Sequence, residues 1–371
     1  MARSYLAPAM AIGAFVAIVL SMPEAFAQQS AAVNRGVIEL ETTGSDGISV
    51  RIAEDLARLI DDGATRRVVP VIGKGSLQNI VDLKYLHGVD IAIVQADVVD
   101  YAKERRLVPG FETSLTYITK LYNEELHILA LPEIKDIRDL ANHKVNVDVL
   151  GSGTAVTVQN VFNELKLPID ATHDSSQVAL EKLRKGEISA LTFVTGKPAP
   201  LFINLTAESG LHFISVPFNP TGNSVYAPAQ LTTADYPGLV LPNRPIDTVA
   251  VGSILFAADL RQIPERSNNV ANFVDVFFTG FQSLLSPGNH PKWDEVNLAA
   301  EVAGWRRYDP AQQWLKRNVQ LAGAPDPQKL KAMFSAFIDE RRRASGGAPM
   351  TDAEKNALFE QFRTWAGTQK Q

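Results

Sequence analysis

The chain contains no cysteine. This removes a disulfide framework, a thiol nucleophile, an iron–sulfur centre and cysteine-ligated zinc from consideration. Histidine is scarce as well. His87, His127, His143, His173, His212 and His290 occur singly and never at metal-ligand spacing, so each reads as an exposed or core-satisfied side chain and no metal or cofactor is expected. A basic excess is also missing: 36 Lys and Arg face 41 Asp and Glu, for a net charge of −5. That balance argues against nucleic acid as a partner, because neutralising phosphates requires surplus cations. No G-x-S-x-G elbow, H-E-x-x-H helix or G-x-x-x-x-G-K-[ST] phosphate loop occurs. The carboxylates form no isolated pair in a loop, and Arg341-Arg342-Arg343 neighbours Asp339 and Glu340, which reads as a solvated helix end.

Long apolar runs are limited to one. Leu6 to Met22 follows Arg3 and is broken only by Pro8, Gly13 and Ser21; Ala25-Phe26-Ala27 and then the polar Gln28-Gln29-Ser30 come after it. Charge, apolar stretch and small-residue exit are the three parts of a secretory signal, with cleavage expected after Ala27. A membrane anchor is the alternative, since about 17 apolar residues is the lower limit for spanning. The remaining length exceeds one ordinary core, taking about 150 residues per domain as a prior.

What is present is a repeating unit. Gly36 to Thr43 reads as a strand, Thr42 to Gly47 as a tight loop, and Ile48, Ile52, Leu56, Leu59 and Ile60 recur at helical spacing. Val68 to Ile72, the loop Gly73-Lys74-Gly75-Ser76 and a helix from Leu77 repeat it; Asp90 to Val94, Gln95-Ala96-Asp97 and Val98 to Lys103 repeat it again. Strand, loop and helix in succession predict a parallel sheet with right-handed crossovers. Leu115 to Leu131 breaks the rhythm as one long extended apolar stretch, suited to a chain crossing between two lobes. A second series follows: helix Ile137 to Ala141, strand Lys144 to Val149, loop Leu150 to Thr154, helix Ala155 to Leu165, helix Gln177 to Lys185, and strands Ala190 to Val194 and Leu211 to Val216. Ile246 to Ala257 is the expected return crossing, and beyond it helices are expected at 265–285, 293–302, 311–320, 327–343 and 352–366.

Ligands of open parallel sheets bind beyond the carboxyl ends of the strands. The loops there are rich in Gly, Ser and Thr, and each precedes a helix. Glycine permits close backbone approach, and a helix start offers unpaired N–H donors and partial positive charge towards an anion. Ser45, Ser76, Ser152 and Thr154 add hydroxyls and Lys74 a cation. Taken singly, a Ser, Thr or Asp at such a position is a helix cap, and Asp97 suits that role best.

The order of motifs resembles the TAXI family, the solute-binding subunits of a class of TRAP transporters. The matching segments are ETTGSDG, VIGKGSLQNIVDLKYLHGVDIAIVQADV, LYNEELHIL, HKVNVDVLGSGTAVT, RKGEISALTFVTGKPAP and YPGLVLPNRPIDTVAVGSILFA, between about Val37 and Leu285. The resemblance implies an α/β, two-lobed periplasmic-binding-protein-like fold of type II, with two hinge strands and a helical C-terminal extension. It implies lobe 1 at 36–120 plus 256–310, lobe 2 at 121–255, hinge crossings near 115–131 and 246–257, and an extension at 311–371. It places Thr43, Gly44 and Ser45 in a first ligand loop and Gly75 and Ser76, beside Lys74, in a second. Gln95 and Asp97 match a Val-Gln-Ser-Asp position, Tyr122 the opening of the crossing, Gly151, Ser152, Gly153 and Thr154 the second-lobe loop, and Thr195, Gly196 and Pro198 a Gly-x-Pro loop.

Two departures from the family pattern bear on the solute. Asp46-Gly47-Ile48-Ser49 stands where a Gly-Gly and a Tyr-Tyr pair are usual, and Lys74 replaces a residue of Thr-Gly-Gly-Ser. An added cation and a lost ring favour a more acidic or less apolar solute than glutamate. The implied function is a non-enzymatic periplasmic binding protein for a small carboxylate, partnered by a TRAP permease. A binding module for an ABC importer or a sensor system is the alternative, and a periplasmic enzyme using Asp97 with Lys74 or Gln95 is a third reading. Trp293, Trp305, Trp314 and Trp365 read as helix-packing anchors.

Overall fold

The computed structural model describes residues 36–217, 225–318 and a few positions between 350 and 358. The expected export signal, Arg341 to Arg343, Trp365, the helix at 327–343 and most of that at 352–366 lie outside the described residues.

The first three units fold as their periodicity dictates. Strand β1 (Val37–Thr42) leads to helix α1 (Ser49–Ile60), β2 (Arg67–Ile72) to α2 (Ser76–Tyr85), and β3 (Val89–Gln95) to α3 (Ala96–Glu104). On α1 the residues Ile52, Ala53, Leu56 and Ile60 form the buried face; each large aliphatic side chain so removed from water contributes roughly 1.5–3 kcal/mol. β1 pairs in parallel with β2 on one side and β3 on the other.

After the short helix α4 (Phe111–Ser114) comes β4 (Thr116–Ala130), a strand of 15 residues. Then follow β5 (Lys144–Asn146), α5 (Gly153–Glu164), β6 (Asp170–Thr172), α6 (Ser176–Arg184), β7 (Ala190–Thr195), β8 (His212–Phe213), β9 (Tyr226–Leu231) and the long β10 (Ile246–Ala257). Helices α7 (Pro264–Leu284) and α8 (Asp309–Arg317) follow.

All ten strands share one sheet, ordered β2-β1-β3-β10-β4-β7-β5-β6, with β8 on β4 and β9 on β10. The two long strands lie side by side and antiparallel in its middle. Residues 253–257 of β10 pair with β3, while 246–251 pair with β9. Residues 125–130 of β4 pair with β7, whereas its earlier residues pair with β10. The stretches expected at 115–131 and 246–257 each form one long strand, and each pairs with different neighbours at its two ends. Their register slips between Gly252 and Ile254. A Cβ at Gly252 would meet the Lys120 Cε at 2.6 Å, so the bare backbone there leaves room for the Lys120 side chain to lie across the strand.

One lobe is built on a core of Leu40, Ile93, Phe273, Phe277 and Trp293. In the other, Ile128, Val145 and Phe162 pack in one cluster, and Leu191, Phe202 and Tyr236 in a second. Helix α8 joins the first core: Ala311, Trp314 and Leu315 are buried there, with Trp314 edge-on to Phe278 at 5.4 Å between ring centroids. Trp293 and Trp305 pack against the same core, in keeping with their reading as anchors.

Several local expectations fail. The helix expected at 293–302 is only a 3₁₀ turn, Pro291–Glu295. The carbonyls of Leu298, Ala299 and Ala300 accept instead from the Arg307 guanidinium, which takes them out of any helix ladder. Ile137–Leu140 is likewise a 3₁₀ turn, closed by a capping box from Asp136 and Asp139. The strand expected at Lys144 to Val149 ends at Asn146, whose side chain ties down the backbone of Asp174. That expected at Leu211 to Val216 keeps two ladder residues, and β6 and β9 were not foreseen.

Candidate functional site

The loops after β1, β2, β3, β5, β6 and β7 open at the carboxyl ends of their strands, three from each lobe, onto a cleft of about 430 Å³. Of the residues nominated from sequence, Thr43, Gly44, Ser45, Lys74 and Gln95 line it from the first lobe. Ser152, Gly153, Thr154 and Thr195 line it from the second.

The other nominated positions lie outside that lining. Ser76 is buried, and its hydroxyl accepts the Gln95 N–H at 3.1 Å. Gly75 and Gly196 sit where the lobes touch. Gly151 precedes the α5 cap, and Pro198 follows a cis peptide bond in the loop beyond β7. Tyr122 is wholly buried in β4. Asp97, read as a cap, instead receives hydroxyls from the opposite lobe: Thr157 at 2.6 Å and Tyr226 at 2.9 Å.

Several lining hydroxyls also hold the loops in shape. Ser152 caps α5 by accepting from Ala155 N at 3.1 Å, the role expected of a serine at a helix start. Thr154 accepts from Val194 N at 3.0 Å, and Thr43 leans on Ser49 at 3.0 Å. Sequence reasoning did not nominate Asp46, Gly47, Ile72, Gly73, Asp148, Val149, Leu150, Ser175, Ser176, Phe193 and Val194, which complete the wall. Most flank nominated positions, and Ser175-Ser176 at the α6 start carried the same helix-start signal as the loops that were chosen.

The lobes meet across the cleft on four glycines, two from each side. A Cβ on Gly153 would lie 1.3 Å from Gln95 Oε1, and one on Gly75 would lie 2.8 Å from Ser152 Cα. On Gly47 it would meet Thr195 Oγ1 at 2.8 Å, and on Gly196 Ile48 Cδ1 at 2.3 Å. Hydrogen bonds reinforce the seam: Ile48 N donates to Thr195 Oγ1 at 3.2 Å, and Ser176 Oγ donates to Asp46.

Below the cleft, where β3, β4 and β10 run together, lies a buried polar cluster. Glu124 accepts from the Gln95 amide and from Ser253 Oγ, the latter at 2.8 Å. Burial pushes Glu124 up to about 7 and Asp97 up to about 6, the charge of Asp97 adding to the rise at Glu124. Glu125 is raised to about 7 by burial, against the pull of Lys292, whose ammonium lies 2.6 Å from both Glu125 Oε1 and Glu295 Oε1. His127 is a core-satisfied histidine: its Nε2 accepts from Tyr236 at 2.7 Å among Phe202 and Phe213, and burial lowers it to about 4. Among the described residues no group of three His, Asp or Glu side chains is placed to hold a metal ion. None of their helices is long and apolar enough to cross a membrane.

Two α/β lobes joined by paired strands, with a cleft at the strand ends, define a type II periplasmic-binding-protein-like fold. The chain belongs to the NMT1-like family, whose sequence model matches residues 42–262. Among solved structures it is similar to the periplasmic binding protein BugD, at 12% identity, covering 77% of this chain and 95% of that one, with a TM-score of 0.47. It is also similar to the alkanesulfonate-binding protein SsuA from Xanthomonas axonopodis pv. citri bound to MOPS, at 12% identity, 78% and 95% coverage and a TM-score of 0.43. The substrate binding protein of an amino acid ABC transporter matches at 13% identity, with 76% and 100% coverage and a TM-score of 0.41.

Proposed function

We propose that this is a TAXI-type solute-binding protein. After export to the periplasm and cleavage behind Ala27 it captures a small carboxylate, an acidic amino acid or organic acid, and delivers it unchanged to a TRAP-type membrane permease. The observation that carries this reading is the convergence of helix starts on one cleft. Helices α1, α2, α5 and α6 all begin beside it, and Lys74 is the one basic side chain among the described residues that line it. Each helix start favours an anion by roughly 0.3–1 kcal/mol, so four together supply about 1–4 kcal/mol without a formal charge. The family membership and the two-lobed fold support the same reading.

Titrating the purified protein with mono- and dicarboxylates and acidic amino acids, by calorimetry and by thermal shift, tests it. Micromolar binding with a raised Tm is expected. Lys74 is exposed, so Lys74→Ala leaves Tm of the free protein in place and weakens binding roughly fivefold. Absence of binding by every small anion overturns the reading.

A further inference from the structure

The cleft is more than a polar floor. Its volume of about 430 Å³ falls within the roughly 300–1,000 Å³ typical of sites for larger small molecules, leaving room beyond a carboxylate. Its mouth is apolar on both sides. Ile72 stands at the end of β2 on the first lobe, and Val149 and Leu150 in the loop before α5 on the second. Ile72 is 62% exposed and Leu150 76%, although both are large aliphatic side chains. Such residues grouped on a concave surface mark a contact for a ligand. Phe193 extends the apolar wall inward.

Charge sets the second constraint. Lys74 is the single cation of the described lining, which also holds two acidic residues, Asp46 and Asp148, the Asp46 carboxyl accepting from Ser45 and Ser176. A solute with one anionic group can place it at the helix starts beside Lys74. A second anionic group would meet a lining whose other charged residues are acidic, with no cation of its own.

We propose that the solute is an amphipathic monocarboxylate, its carboxylate at the helix starts beside Lys74 and an aliphatic or aryl substituent running out between Ile72 and Leu150. This rests on the carboxylate reading above and narrows it. It also reverses the direction read from the departures in sequence, where Lys74 and the lost ring pointed to a more acidic, less apolar solute. Aliphatic side chains from other loops, Ile72, Val149 and Leu150, line the cleft despite the lost ring.

The test is a calorimetric series on the purified protein: butyrate, hexanoate and octanoate against succinate, adipate and suberate, repeated with Ile72→Ser and Leu150→Ser. Both substituted positions are exposed, so the variants retain the fold. Affinity for the monocarboxylates should rise by roughly fourfold per buried methylene. Each dicarboxylate should bind roughly tenfold more weakly than the monocarboxylate of equal length. The serine variants should lose most of the gain for octanoate and little for butyrate. Dicarboxylates that bind as tightly as their monocarboxylate counterparts overturn the proposal while leaving the carboxylate reading intact. So does an affinity flat with chain length, or octanoate binding that ignores both serine variants. If neither series binds at millimolar concentration this proposal falls, and if aspartate and glutamate also fail to bind the carboxylate reading falls with it.

Discussion

Replacing Gly153 by alanine adds a single methyl group, and its consequences separate the two ends of the closure reaction. Gly153 has no positive φ and is the first residue of α5. With the lobes apart, alanine is therefore tolerated there and favours the helix by up to about 1 kcal/mol. With the lobes together, the new Cβ falls 1.3 Å from Gln95 Oε1 and 2.3 Å from its Cδ. The Gln95 amide must swing away, and in doing so it gives up its bond to the buried Glu124 carboxyl. Above about pH 7, where Glu124 is ionised, a hydrogen bond to it is worth about 1.5–3 kcal/mol, and its loss leaves Glu124 one donor short. A net bias of about 2 kcal/mol against the closed form lowers solute affinity roughly thirtyfold, because only the closed population holds the ligand tightly. Calorimetry with the best-binding carboxylate measures the loss, and small-angle scattering shows whether the free variant is more extended. Gln95→Ala in the same background removes the obstructing atoms, so the alanine should then cost little; that coupling is the diagnostic. Wild-type affinity in the single variant, or equal losses with and without the Gln95 side chain, refutes the reasoning.

Two further outcomes follow from other parts of the molecule. Burial lifts Asp97 from 3.8 to about 6, so its contribution favours the fold fully below 3.8 and is lost as pH rises to 6, a change of about 3 kcal/mol. Asp97→Asn keeps an oxygen for Thr157 and Tyr226 without the charge, and its stability relative to wild type, from denaturant unfolding, should climb between pH 4 and 6 and then level off. A pH-independent difference contradicts this. Trp293 is fully buried, stacks edge-on against Phe277 and donates to Asp55 Oδ2 at 2.8 Å, so Trp293→Ala should cost roughly 3–5 kcal/mol by the same measurement. A loss below about 1 kcal/mol would mean that this tryptophan is not an anchor of the first-lobe core.

Much of the scaffold was legible because its signals are local. The apolar spacing of Ile52, Leu56 and Ile60 is that of a helix buried on one face, and the stretch from Leu115 to Leu131, with no helical period, reads as extended chain. Where the reading failed, the deciding partner was distant in sequence. The segment at 293–302 has ordinary helix composition, but Arg307 captures its carbonyls. β9 is short and carries Pro228, and it exists because β10 offers it an edge.

The candidate site divides in the same way. By itself the sequence determined that Gly- and Ser-rich loops precede helices at strand ends, since those rules act within a few residues. It also determined that thiolate chemistry is absent, because the chain contains no cysteine at all. Only the tertiary structure decided which loops share a cleft, and that Asp97 bonds across the lobes. It alone set Gly153 against Gln95, and Ile72 beside the same cavity as Leu150. Those pairings join residues from opposite lobes, through two strands whose register no local pattern encodes, so the charge and apolar character of the cleft come from the fold.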